Sequence, residues 1–282
     1  MLSEPQPRKL LNPAKAVRYM GASRHRPPQS CPAAPAAARL RELVSVLCGA
    51  AVVASGFRQT ESSRPVKFEL IQAGSIEITP KEGVKDSRPT SSLLEHEGFR
   101  VVIDTEHPKE DGTQFGAAVA RVGLSPAEVQ CVIFTHLHPD HFGHKNMFPA
   151  ATFVFHQDER MGFYFKNDKK LVLSGSALLE LRPDGLARPA YIDFSPDVRS
   201  LGDTIYVRHA PGHTPGSTMI FACIRRLVYA WVGDTFLNQT YFDGWQPPGS
   251  SWDQQRIYNH MQYARETADV IVPGHGPPFR IR

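Results

Sequence analysis

Short apolar runs separated by turn residues make up most of the chain from residue 66 onward. The runs VKFELIQAG, SIEIT, SSLLEHE and FRVVIDT predict four strands in succession, and Glu97-Gly98 is typical of a hairpin turn. A helix over 112–122, a buried strand ending near Thr135 and a strand over 151–156 follow. Three more strands (DTIYVRHA, STMIFAC, LVYAWVGD), a helix over about 253–267 and a closing strand ADVIV complete the order. Strands followed by a helix, twice over, predict two similar halves packed sheet on sheet with the helices outside.

Residues 158–195 depart from this pattern because they are rich in aromatic side chains and lack a clear period. We interpret them as an insertion that lies over a site, and not as part of the core. The functional motifs described below fall outside this segment.

The first 65 residues differ in composition from the rest of the chain. They carry ten Lys and Arg against three Asp and Glu, and residues 43–57 form an uncharged run of 15 that is short for a membrane span. Three interpretations remain open: a secretory signal with a small-residue cleavage site at 52–54, an organelle transit peptide, or a start of translation at Met20. In each of them residues 1–65 form a targeting or disordered segment and residues 66–282 form the folded domain. The protein would be secreted or organelle-targeted if residues 1–57 act as a targeting segment, and cytoplasmic otherwise.

The charge of the remaining chain limits its partners. Residues 66–282 contain 22 Lys and Arg against 25 Asp and Glu, so the overall charge of +4 belongs to the N-terminal segment. A mildly acidic body argues against a broad phosphate-binding face. The four cysteines show no CxxC spacing, which excludes a cysteine zinc ribbon.

The stretch THLHPDHFGH places candidate metal ligands directly after a buried strand. His136 and His138 are two residues apart and point the same way in an extended chain, while Asp140 and His141 follow Pro139. Imidazole nitrogens and carboxylate oxygens are the ligands that zinc and similar divalent ions accept. The sequence therefore predicts a metal site at the end of this strand.

Three later turns repeat the same context, each with a candidate ligand after an apolar strand and beside Gly or Pro. They are His213 in PGHTPGS, Asp234 in WVGDTF and His275 in VPGHG. His144, His156 and His209 are not assigned as ligands, and the first two are interpreted as structural or as supports of the site. The chain has no HExxH, GxSxG or GxGxxG motif, which excludes zincin, serine-hydrolase and dinucleotide-binding functions.

With these motifs in this order, the sequence resembles the metallo-β-lactamase superfamily over residues 66–282. The resemblance implies an α/β fold, a four-layer αββα sandwich with a two-metal site at one edge. In that arrangement one metal would be bound by three imidazoles (His136, His138, His213), the other by Asp140, His141 and His275, and both by Asp234. The end of the chain, SSWDQQR and ADVIVPGHGPPFR, is similar to the metallo-β-lactamase domain-containing protein 1 group. One departure is Glu106 of Asp104-Thr105-Glu106, where the family has Gly; we expect it to change the local turn and not the ligands.

The expected function is metal-dependent hydrolysis by a hydroxide shared between two divalent metal ions, which Asp140 would orient and whose proton it would shuttle. Zinc is the preferred ion, although iron and manganese accept the same ligands. Asp104 and Thr135 are expected to hold the imidazoles. We expect a small-molecule ester, thioester or lactone as substrate, with a phosphodiesterase or endoribonuclease acting on RNA as the less favoured alternative. A homodimer is a further expectation, and no segment is expected to span a membrane.

Overall fold

The computed structural model describes residues 66–282, except 82, 109–110, 166–168 and 187. The expectations for residues 1–65 lie outside this range. Within it, the chain forms two large sheets, a small hairpin sheet and four α-helices. No helix in the described range combines the length and apolar character needed to cross a bilayer.

The first sheet contains six strands from the first half of the described chain, in the order β1-β4-β5-β6-β7-β8. Strands β5 to β8 run parallel, and β1, β4 and β5 are antiparallel neighbours. The strands are β1 (Lys67–Gln72), β4 (Ser91–His96), β5 (Phe99–Ile103), β6 (Cys131–Ile133), β7 (Thr152–His156) and β8 (Lys170–Leu173). Between β1 and β4 the chain forms a separate hairpin, β2 (Ser75–Thr79) and β3 (Gly83–Arg88).

The second sheet contains the later strands, in the order β10-β9-β12-β13-β14-β15-β16, with β11 also paired to β9. Strands β14 and β15 are parallel, whereas β12, β13 and β14 are antiparallel neighbours, so β12, β14 and β15 point the same way. The strands are β9 (Ala177–Arg182), β10 (Gly185–Leu186), β11 (Ala190–Tyr191), β12 (Thr204–His209), β13 (Thr218–Ile224), β14 (Leu227–Gly233), β15 (Val270–Pro273) and β16 (Phe279–Arg280).

Side-chain alternation along the strands divides the apolar residues into three layers. Val101 and Ile103 of β5 pack between the sheets against Val207 of β12, while Val102 between them faces the opposite way, toward the first helix. Tyr206, next to Val207, faces the helix layer behind the second sheet. Because the central strands of each sheet, such as β5 and β13, are buried on both faces, both sheets need a further layer of helices on their outer sides. The predicted four-layer αββα sandwich is confirmed.

The helices close these outer layers. Helix α1 (Thr113–Arg121) packs on the first sheet, and α4 (Gln254–Thr267) packs on the second through residues such as Ile257 and Met261. Two short helices, α2 (Pro139–Phe142) and α3 (Gln239–Asp243), lie in the loops after β6 and β14. Asp140 and His141 therefore lie in a helical turn that begins at Pro139.

The interpretation of residues 158–195 as an insertion is wrong for its central part. Strand β9 pairs with β12, and its residues alternate between buried and partly exposed, which makes it part of the second sheet. Strand β8 completes the first sheet. Among the described residues of this segment, the 3-10 turn Arg160–Phe165 and residues 192–195 have the irregular character expected.

Candidate metal centre

The seven predicted ligands come together at one edge of the sandwich, where the strands that precede them end. His136 and His138 follow β6, His213 follows β12, Asp234 follows β14 and His275 follows β15. Asp140 and His141 lie on α2. In parallel strands the carboxyl ends meet at the same edge of a sheet, so residues distant in sequence converge there. They form two groups: the first cluster is His136, His138 and His213, with Asp234 beside it, and the second cluster is Asp140, His141 and His275.

In the first cluster, three imidazole nitrogens converge on one point. His138 Nδ1 lies 3.1 Å from His136 Nε2 and 2.9 Å from His213 Nε2. The rings meet edge on, at interplanar angles of 81° to 89°. A single proton can serve only one pair of these nitrogens, whereas a tetrahedral zinc ion with ligands at about 2.0–2.1 Å holds them about 3.3 Å apart. The donor set therefore fits a divalent cation.

The second cluster lies directly beside the first, since the rings of His136 and His141 are 4.0 Å apart between centroids. His141 Nε2 and His275 Nε2 are 3.4 Å apart. Asp140 Oδ2 lies 3.9 Å from the first of these nitrogens and 3.7 Å from the second. Two nitrogens and a carboxylate oxygen at these separations are also suited to a divalent ion.

Asp234 lies between the clusters and directs one oxygen to each. Its Oδ2 is 3.3 Å from His213 Nε2, and its Oδ1 is 3.3 Å from His141 Nε2 and 3.2 Å from His275 Nε2. The side chain is only 8% exposed. Burial would raise the pKa of Asp234, but His275, His141 and His213 hold it well below its usual value. The carboxylate is therefore ionised and shared by both clusters.

Hydrogen bonds on the far side of three rings orient the nitrogens that face the clusters. Asp104 Oδ2 lies 2.8 Å from His141 Nδ1, and the carbonyl oxygen of Arg88 lies 2.7 Å from His275 Nδ1. Thr135 Oγ1 is 3.2 Å from His136 Nδ1 and donates to Asp104 Oδ2 at 2.7 Å. With Nδ1 engaged, each of these imidazoles presents Nε2 to the cluster. Asp104 and Thr135 therefore lie where residues that hold the imidazoles were expected.

The buried imidazoles respond differently to their surroundings. Burial holds the pKa of His136 well below its usual value and lowers that of His213 to about 4, so both are neutral near pH 7. Burial alone would also lower the pKa of His141, but the carboxylates of Asp104, Asp140 and Asp234 raise it well above the usual value. Negative charge thus gathers around His141, where a divalent cation would be stabilised.

Glu106 lies in the turn after Asp104, and two hydrogen bonds hold its carboxylate. Its carboxylate accepts hydrogen bonds from Gln72 Nε2 at 2.6 Å and from the backbone of His107 at 2.7 Å. The left-handed residue of this turn is Asp104, at φ 55°, and the backbone N–H of Thr135 donates to its Oδ1 at 2.8 Å. The seven predicted ligands therefore converge with glutamate at position 106.

Two residues that contact the site carried no signal in the sequence. Ser87, on the unpredicted strand β3, donates a hydrogen bond to Asp140 Oδ2 at 2.5 Å. Glu159 contacts the backbone beside His136 and His138. Burial raises the pKa of Glu159, and its hydrogen bonds from Thr214 and Leu137 oppose that shift. Neither residue belongs to a recognisable motif.

The other histidines lie outside both clusters. His144 stacks on Phe115 in the first-sheet layer. His156 and His209 form a third group with Asp158, but their rings stack face to face, with centroids 3.6 Å apart and planes at 10°. The nitrogen lone pairs lie in the ring planes, so two parallel rings cannot both direct them at one ion. We therefore interpret this pair as a packing contact between the two sheets.

Comparison with known proteins agrees with this geometry. The sequence profile described as "Metallo-beta-lactamase superfamily" matches residues 85–275. The chain belongs to the metallo-beta-lactamase superfamily. Its similarity to "Metallo-beta-lactamase domain-containing protein 1" is 31% identity over 186 residues of the Xenopus laevis protein, covering 64% of this chain and 68% of that one. For the human protein of the same name the identity is 29% over 184 residues, covering 64% of this chain and 59% of that one. These matches place the chain close to that group.

Solved structures show the same fold at low sequence identity. One is a Thermotoga maritima protein whose name places it with the metallo-beta-lactamases, with a TM-score of 0.54, 17% identity and coverage of 77% of this chain and 100% of that chain. Another is a quorum-quenching N-acyl homoserine lactone lactonase, with a TM-score of 0.52, 15% identity and coverage of 75% and 92%. From its superfamily and its clustered imidazole and carboxylate groups, the protein is a metal-dependent hydrolase that binds divalent metal.

Proposed function

We propose that the protein is a two-metal hydrolase of small esters, thioesters or lactones. In this proposal the first cluster (His136, His138, His213) binds one ion and the second cluster (Asp140, His141, His275) binds the other, with zinc as the preferred metal. The observation that carries the proposal is the position of Asp234, which directs one carboxylate oxygen to each cluster. A buried, ionised carboxylate between two groups of imidazoles is suited to two cations and is costly without them.

The residues of the chain would position the reacting groups. Bound divalent ions would supply Lewis acidity, which makes a water more acidic and polarises a substrate oxygen. Asp140 is 13% exposed, which leaves part of its carboxylate open to solvent, and Ser87 fixes the orientation of its Oδ2. Burial would raise the pKa of Asp140, but His141 and the hydrogen bond from Ser87 help to hold it below its usual value. An ionised Asp140 can accept a hydrogen bond from the attacking water and then its proton.

Two observations support a small acyl substrate. The fold is shared with a protein named as an N-acyl homoserine lactone lactonase, although the identity is only 15%. The formal charge of residues 66–282 is negative, with 22 basic against 25 acidic side chains. An acidic domain repels polyanions at long range, which disfavours RNA relative to an uncharged ester.

The test is a substrate panel with the full-length protein, whose metal content is measured in the same preparations. An N-acyl lactone, a thioester, bis-p-nitrophenyl phosphate and single-stranded RNA are compared for wild type, Asp234→Ala and Asp243→Ala. Asp243 is an exposed aspartate on α3, so its variant controls for the loss of a carboxylate. We expect metal-dependent cleavage of the lactone or thioester, at least about 100-fold slower in Asp234→Ala and unchanged in Asp243→Ala. Equal rates for wild type and Asp234→Ala would disprove the proposed site, and cleavage of RNA alone would replace the proposed substrate class.

A further inference from the structure

Glu159 is a buried carboxylate that contacts both loops of the first cluster without belonging to it. It is 7% exposed and lies between β7 and the 3-10 turn Arg160–Phe165. Its Oε2 accepts a hydrogen bond from the backbone N–H of Leu137 at 3.1 Å, and its Oε1 accepts one from the Thr214 hydroxyl. Leu137 lies between His136 and His138, and Thr214 follows His213. One carboxylate is thus hydrogen-bonded to both of the loops that carry the three imidazoles of the first cluster.

The loop after β12 has the shape needed to close on this carboxylate. A Cβ at Gly216 would lie 2.6 Å from the backbone nitrogen of Glu159 and 2.7 Å from its Cγ, so only glycine permits the approach. Ser217 Oγ accepts a hydrogen bond from the backbone N–H of Thr214 at 2.9 Å and lies 2.7 Å from its hydroxyl. These contacts fix the Thr214 hydroxyl in the position from which it reaches Glu159.

The second cluster is held by other groups. Asp104 engages His141, the carbonyl of Arg88 engages His275, and Ser87 engages Asp140. Each of these three contacts comes from the first sheet or from the β2–β3 hairpin. The two clusters share Asp234, and Asp104 also reaches His136 of the first cluster through Thr135. Both side-chain hydrogen bonds of Glu159, in contrast, go to loops of the first cluster, so a change to Glu159 should be felt mainly by the metal bound there.

We propose that Glu159 is a positioning residue that sets the metal affinity of the first cluster, through the Leu137 backbone and the Thr214 hydroxyl, and leaves the second cluster largely unaffected. The inference rests on the proposed two-metal function. Residues that orient metal ligands from behind change metal affinity by about 10- to 100-fold when they are removed. In Glu159→Ala the buried Leu137 N–H loses its partner and both loops gain freedom, so the three nitrogens converge less well.

The experiment titrates the metal-free, full-length protein with Zn²⁺ against a chromophoric chelator, and follows Co²⁺ binding by visible absorption. The wild type is compared with Glu159→Ala, Glu159→Gln and Thr214→Val, and thermal unfolding is recorded for each. Glu106→Gln is the matched control, because that carboxylate is also buried but pairs with Gln72 and the His107 backbone. We expect two binding steps in wild type and Glu106→Gln. In Glu159→Ala one step should weaken about 10- to 100-fold and the other stay unchanged.

The conservative variants separate positioning from general damage. Glutamine has the same shape, and its amide can accept from Leu137 and donate to the Thr214 hydroxyl, so Glu159→Gln should restore most of the affinity. Thr214→Val removes only one of the two contacts and should weaken the same step by about 10-fold or less. If Glu159→Ala does not unfold cooperatively, these two variants decide the question.

Unchanged affinity at both steps in the Glu159 and Thr214 variants, or equal weakening of both steps, would overturn the role of Glu159. Failure of the two-metal function has a different signature, because the wild type itself would then bind only one equivalent of Zn²⁺. In that case the role of Glu159 stands if Glu159→Ala weakens the single equivalent relative to Glu106→Gln, and falls if it does not.

Discussion

Substitution of Gly274 by alanine should disable the metal centre although it replaces none of the proposed ligands. A Cβ at this position would lie 2.1 Å from Asp234 Oδ1, whereas an ordinary non-bonded contact of carbon is about 3.5 Å. The backbone of Gly274 cannot easily withdraw, because its N–H donates to the Phe236 carbonyl at 3.1 Å and its own carbonyl accepts from Thr90 at 2.7 Å. The Asp234 carboxylate must therefore move by about 1 Å or more.

The displaced oxygen is the one that faces the second cluster, at 3.3 Å from His141 and 3.2 Å from His275. A misplacement of about 1 Å in a catalytic site typically costs about 100-fold in rate. Forcing an extra methyl group into a packed site also costs about 1–3 kcal/mol of stability. At about 2–4 °C for each kcal/mol, Gly274→Ala should lower the Tm by several degrees while the protein still folds.

The assay measures metal content, Tm and hydrolysis of the best substrate for wild type, Gly274→Ala and Gly175→Ala. Gly175 is the matched control, since a Cβ there would have no heavy atom within 4 Å and its φ is not in the left-handed region. We expect Gly175→Ala to behave as wild type, and Gly274→Ala to lose metal and about 100-fold in rate. A Gly274→Ala protein with wild-type metal content and rate would refute the reasoning that Asp234 is fixed against this glycine.

Three further predictions concern metal, tautomer and pH. Chelation should lower the Tm, because an ion present at 100 times its Kd adds about 2.7 kcal/mol to the folded state; an unchanged Tm after verified metal removal would contradict this. Asp104→Asn alters the hydrogen bond to Nδ1 that fixes the tautomer and orientation of His141, so it should weaken metal binding about 10- to 100-fold in equilibrium dialysis. An unchanged Kd for the metal would contradict this prediction. Burial and repulsion by His209 lower the pKa of His156 from 6.5 to about 4. The contribution of neutral His156 to the free energy of unfolding is therefore fully present above pH 6.5 and is lost as the pH falls toward 4. Urea unfolding of metal-free His156→Phe should therefore lose less free energy between pH 7 and pH 5 than wild type, and equal losses would disprove the effect.

The sequence predicted the positions of the candidate ligands because each lies in a short turn directly after an apolar strand. Such turns are local, and strand direction then brings them to one edge. The sandwich itself followed from the repeated order of strands and helices. Asp104 and Thr135 could be predicted for the same reason, because each lies just after a strand of the first sheet.

Contacts between segments that are distant in the chain could not be predicted from the sequence. Strand β3 is largely exposed and rich in charge, so its pairing with β2 left no apolar alternation to detect. Strand β9 does alternate, but its place in the sheet depends on pairing with β12 about 25 residues later. Glu159 contacts Leu137 and Thr214, which are 22 and 55 residues away, and a single glutamate has no local pattern.

The division of the ligands between the two sheets has a consequence for assembly. His136, His138, Asp140 and His141 come from the first half of the sandwich, and His213, Asp234 and His275 come from the second. Under the proposed assignment each ion joins both halves, so it acts as a cross-link that closes a loop of more than 70 residues between His138 and His213. Two separately produced halves should then associate more tightly with Zn²⁺ than without it, because neither half alone carries a complete set of ligands. Bound metal would then hold the two docked sheets together in addition to their apolar core.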